Sequence, residues 1–107
     1  MNTWVLTQEQ REKFKPIVLE YISKINNTDE CELVENLNLT FKEISPYQLK
    51  ELLEELGYEK TDFDKNGWEC DFWITMQNKN VSDRAQTLCI FGCGMSFKLE
   101  LGVKEDY

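Results

Sequence analysis

Residues 67–76 form the most aromatic run of the chain, with Trp68, Cys70, Phe72, Ile74 and Met76 alternating against Glu69, Asp71, Trp73 and Thr75. That period of two is the mark of a strand with two different faces. Upstream the period is helical. Thr7 with Gln10 reads as a capping box, and Phe14, Ile17, Val18, Tyr21, Ile22 and Ile25 share one face of a helix that Asn26 and Asn27 end. Pro16 lies inside this segment and removes one backbone donor, which predicts a kink or a fresh helix start.

A short helix is predicted from Thr28 and Asp29 onward, with Cys31, Val34 and Leu37 on one side, and a single helical turn at 41–44 behind Thr40 and Glu43. The clearest helix follows. Ser45 caps it, Pro46 occupies its first turn, Gln48 completes the box, and Leu49, Leu52, Leu53 and Leu56 make the apolar stripe. Gly57 is the natural stop.

Beyond Gly57 the period becomes alternating, so one domain over 1–107 divides into a helical half at 1–57 and a sheet half at 58–107. Residues 58–63 read as an edge strand, and Asn66-Gly67 as a tight hairpin turn into the strand at 67–76. A polar loop over 77–86 leads to strands at 87–92 and 95–103, the second with Leu99, Leu101 and Val103 inward and Lys98 and Glu100 outward. The expected fold class is α+β. Two long helices and one or two short ones pack on one face of an antiparallel meander of three to four strands.

The strand at 87–92 is apolar on both faces, with Leu88 and Ile90 on one and Cys89, Phe91 and Cys93 on the other. Such a strand belongs at the centre of a sheet. A meander then brings Phe91 beside Trp73 on the face turned away from the helices. Trp73, Phe91, Cys89 and Cys93 are therefore the candidate partner-binding residues, for a protein partner or a homodimer, unless the loop at 77–86 covers them.

Charge and composition narrow the classes. With 41% hydrophobic residues, 30% charged residues, five Gly and two Pro, the chain can bury a core. Its formal charge is −8, and 1–57 carries six basic and eleven acidic residues against six and nine in 58–107, so neither half offers a basic footprint for nucleic acid. No long apolar run suggests a membrane span or secretory leader, so the expected location is cytoplasmic, with Cys31, Cys70, Cys89 and Cys93 reduced.

Four constellations bear on chemistry. Asp62-x-Asp64-x-Asn66-Gly67-x-x-Cys70-Asp71 resembles the short calcium loop of Excalibur-type extracellular modules, and overlaps the start of an EF-hand loop. That resemblance implies Asp62, Asp64, Asn66 and Asp71 as oxygen donors to Ca²⁺, although Trp73 stands at the twelfth EF-hand position, where an acid is needed. Cys70, Cys89 and Cys93 lack the paired spacing and the histidine of a zinc site. The helices-then-hairpin order resembles winged-helix domains, but Glu51, Glu54 and Glu55 against one Lys50 would repel phosphates from the helix that should read DNA.

The chain has no histidine, which excludes Ser-His and Cys-His nucleophiles, and Glu69 with Asp71 lies on an outer strand face. No catalysis and no cofactor are expected. The sequence thus points to a small acidic interaction module using the sheet face opposite the helices. Its alternatives are the calcium-binding hairpin at 62–71 and an acidic nucleic-acid mimic of the anti-restriction or immunity type.

Overall fold

A computed structural model describes residues 5–29, 32–65, 71–81, 83–93 and 98–103, with the backbone alone for 62–65, 71–72 and 83. The architecture is α+β: a helix α1 (Gln8–Asn26), a strand β1 (Leu37–Thr40), a helix α2 (Pro46–Glu55), then β2 (Glu59–Lys65), β3 (Asp71–Gln77), a 3-10 turn (Asp83–Ala85), β4 (Thr87–Cys93) and β5 (Lys98–Val103). The sheet is antiparallel throughout in the order β1-β5-β4-β3-β2.

Both main helices start where their side chains dictate. Thr7 Oγ1 accepts the Gln10 N–H and Gln10 Oε1 accepts the Thr7 N–H, while Ser45 and Gln48 do the same for α2. These pairs satisfy donors that a helix start otherwise leaves open. α1 runs unbroken through Pro16, which lies on its exposed side, so the expected restart is absent. α2 ends at the Leu56 cap, and Gly57 turns the chain with φ of 101°, a conformation that side-chain-bearing residues resist.

Three expectations need correction. Only α1 is long, since α2 has ten residues. The helix expected around Cys31, Val34 and Leu37 is not formed: Cys31 lies outside the described residues, and Leu37–Thr40 is a strand on the edge of β5, with Leu37 opposite Leu101 and Leu39 opposite Leu99. The sheet therefore has five strands rather than three or four. Two leucines at alternate positions gain apolar partners across the ladder, and that tertiary pairing outweighs a weak helical period. The turn at 41–44 does close as a helical turn, with the Glu43 and Ile44 amides both donating to Thr40 O.

The third correction concerns the hairpin. β2 continues through Asp64 and Lys65, and Lys65 pairs with Phe72, so the ladder does not close across a two-residue Asn66-Gly67 turn. Residues 66–70 of the expected turn and strand lie outside the described residues.

The chain follows a circuit across one face. β1 and β2 occupy opposite edges, α2 carries the chain between them, and the meander returns strand by strand to β1. Alternation along the strands presents Ile74, Met76, Leu88, Ile90, Leu99 and Leu101 to the helices. They form one core with Phe14, Val18 and Ile25 of α1 and Leu49, Leu52 and Leu53 of α2, all at most 2% exposed. Arg11 of α1 clamps Glu55 of α2 through Nε at 2.8 Å and Nη2 at 2.6 Å. Those hydrogen bonds hold the Glu55 carboxyl below its usual range and raise the Arg11 guanidinium.

The segment expected as a polar loop at 77–86 packs on the helix side of the sheet. Gln77 completes β3, Ala85 is fully buried, and Val81 packs against the core. Tyr58, 2% exposed, donates its hydroxyl to Ala85 O at 2.6 Å. Arg84 reaches back to the carbonyls of Asp29 and Glu32, holding the segment before β1.

Burial pushes the Tyr58 phenol up to about 12 from 10.0. Below pH 10 the phenol is neutral in folded and unfolded chains alike, so its stabilisation is full. Between pH 10 and about 12 the unfolded chain releases the proton while the folded one keeps it, and stability falls as pH rises. Thermal melts followed by circular dichroism across that window should show a shallower decline in Tyr58→Phe than in the parent. Equal slopes would mean that Tyr58 ionises as readily in the folded chain.

Candidate interaction surface

The face turned away from the helices is built in rows by the ladder registers. One row reads Trp73, Phe91, Glu100 and Asn38 across β3, β4, β5 and β1. A second reads Asp71, Cys93, Lys98 and Thr40, and a third Thr75, Cys89 and Gly102. Trp73 is thus directly opposite Phe91, as the alternation of the two strands predicts. Trp73 remains 41% exposed, and Phe91 and Cys93 are half-buried.

The third row differs in character. Thr75 and Cys89 are 4% and 3% exposed although they point away from the helices, and Thr75 Oγ1 lies 3.7 Å from Cys89 Sγ. These short side chains sit low between the taller row of Trp73 and Phe91 and the row of Gln77 and Thr87. Cys89 is therefore the floor of this face rather than part of its contact layer. At Gly102 the Asn36 side chain lies directly on the backbone, so that a Cβ there would come within 2.3 Å of Asn36 Oδ1. Nothing in the residue pattern marks Asn36 for this place, because the contact arises only once β1 joins β5.

The candidate calcium ligands are distributed along the hairpin. Asp62 and Asp64 occupy β2 opposite Thr75 and Trp73, and Asp71 opens β3, while Asn66 lies outside the described residues. Among the described residues no group of three His, Cys, Asp or Glu side chains converges as a metal site would require. Of the three cysteines considered for zinc, Cys89 and Cys93 share the outer face, and Cys70 lies outside the described residues.

On the helix side, a groove of about 620 Å³ between α2 and β2 is lined by Val5, Tyr47, Lys50, Glu51, Glu54 and Lys60. Its carboxylates serve the fold. Glu54 pairs with Lys50 at 2.9 Å and Glu51 accepts the Leu6 N–H at 2.9 Å. No described helix is long and apolar enough to cross a membrane.

No family model, curated protein or solved structure matches the chain.

Proposed function

We propose that this protein is a non-catalytic interaction module that engages a protein partner with the sheet face opposite its helices. The observation that carries the reading is the pair formed by Trp73 and Phe91, adjacent across β3 and β4, with Trp73 41% exposed. Aromatic side chains exposed on a sheet face are the residues from which binding hot spots are built. Of the segments that could cover them, the one from Asn78 to Gln86 packs through Ala85 and Val81 on the other side. Absence of histidine supports the non-catalytic part, since the commonest acid-base group is missing.

Replacing Trp73 and Phe91 together with serine tests this. The expected result is loss of association in light scattering and in pull-down, with the melting temperature little changed. Unchanged association with a melt lowered as for a core substitution would show that the pair serves internal packing.

A further inference from the structure

The ladder registers sort the charges of the sheet by face. Glu59, Asp62 and Asp64 of β2 stand opposite Gln77, Thr75 and Trp73, Asp71 stands opposite Cys93, and Glu100 opposite Phe91, all on the side turned away from the helices. Lys98 is the one basic residue at an outward position of the five strands. The lysines of β2 fall on the other side, Lys60 opposite the buried Met76 and Lys65 opposite Phe72. A regular strand would put residues 60 and 62 on one face. The bulge between them shifts the phase, so that Phe63 comes opposite Ile74 on the core side and both aspartates take outer positions.

The helix side carries no such excess. α1 holds four basic and three acidic residues. On α2, Glu51 accepts the Leu6 N–H, Glu54 pairs with Lys50 and Glu55 with Arg11. With five acidic residues against one lysine, the outer face bears half of the chain's −8.

The acids are also interleaved with the rings. One row reads Asp64, Trp73, Phe91 and Glu100 across β2, β3, β4 and β5. Asp71 lies two positions before Trp73 on the same strand, and Asp62 lies on its diagonal across the ladder. An indole that is 41% exposed is therefore ringed by three acidic positions. We infer that the occupant of this face is a basic protein that presents arginine side chains to Trp73 and Phe91. This rests on reading the face as an interaction surface. A guanidinium lies flat on a ring while its fork of N–H groups reaches a neighbouring carboxylate, and the compact ammonium of lysine cannot do both. Asp64 and Glu100 are three strand spacings, or roughly 14 Å, apart, too far for one metal ion and suited to several side chains of one partner. Nucleic acid is repelled by the same field that draws such a partner in.

Calorimetric titration of the full chain with an octapeptide of alternating Arg and Ser, and with its Lys counterpart of equal charge, tests this. The Arg peptide should bind about fivefold more tightly or better. Asp64→Asn with Glu100→Gln should weaken it at least about tenfold. Glu9→Gln with Glu20→Gln makes the same change of charge at exposed positions of α1 and should leave binding within about twofold of the parent. Trp73→Ser should remove the preference for Arg over Lys. No binding up to about 1 mM, equal binding of the two peptides, or equal loss from the two pairs of substitutions overturns the inference. In any of those cases the melt of Trp73→Ser with Phe91→Ser separates the two conclusions. An unchanged melt overturns the arginine-bearing partner and leaves the interaction reading standing, while a melt lowered as for core residues overturns both.

Discussion

Leu52→Ala is expected to lower the unfolding free energy by about 2 to 5 kcal/mol, the range for a fully buried leucine cut back to alanine. Leu52 is inaccessible to solvent and sits between Leu49 and Leu53 on the stripe that holds α2 to the sheet. A ten-residue helix has too few backbone bonds to persist by itself, so its order depends on this packing. α2 is also the link that takes the chain from one edge of the sheet to the other. Loss of its anchor should therefore loosen β1 and β2 together rather than open a local cavity alone. Urea unfolding reads the effect as a fall in midpoint with an unchanged slope. A loss below about 1 kcal/mol would mean that the site collapses around the smaller side chain.

Gln48→Leu should cost about 2 to 4 kcal/mol, as two or three buried polar groups lose their partners together. Gln48 is 4% exposed and acts well beyond its own helix cap. Its Oε1 accepts the Ser45 N–H at 2.8 Å and the Gln10 Nε2–H at 2.9 Å, and its Nε2 donates to Val5 O at 2.9 Å. Gln10 Nε2 donates in addition to Glu43 O at 2.9 Å. The two capping boxes, 38 residues apart in sequence, are therefore one network that sets α1 against α2. Leucine keeps the volume and removes the three bonds that the Gln48 side chain makes. Hydrogen exchange should show the Ser45 amide losing protection ahead of the global transition, and a variant as stable as the parent would show the network to be dispensable.

Much of this fold could be read from the residues, and the division follows the range of the interactions. Thr7 with Gln10 and Ser45-Pro46 with Gln48 are local devices, so both helix starts were legible. The alternation of β3, β4 and β5 was legible too, and with it the meeting of Trp73 and Phe91. β1 was not, because its strand character depends on Leu99 and Leu101 some sixty residues away, while Cys31, Val34 and Leu37 also satisfy a helical period. The union of the capping boxes and the seat of Asn36 on Gly102 share that origin. Ala85 and Val81 were hidden among polar neighbours, of which Arg84 turns to the carbonyls of Asp29 and Glu32 rather than marking an open loop. The hairpin register eluded the Asn-Gly signal, since Lys65 pairs with Phe72 rather than with a residue just past that dipeptide.

The edge position of β1 has a consequence for the order of assembly. Its ladder partner β5 covers Lys98–Val103, so during synthesis the helical half emerges long before the strand that completes it. Until then Leu37 and Leu39 have no apolar neighbours across a ladder, and the β4 edge stands open beside them. Closure over so many residues is slow relative to the formation of either helix. Until β5 pairs, β1 and the β4 edge are two unsatisfied strands, and it is in that interval that a chaperone would find the most to hold.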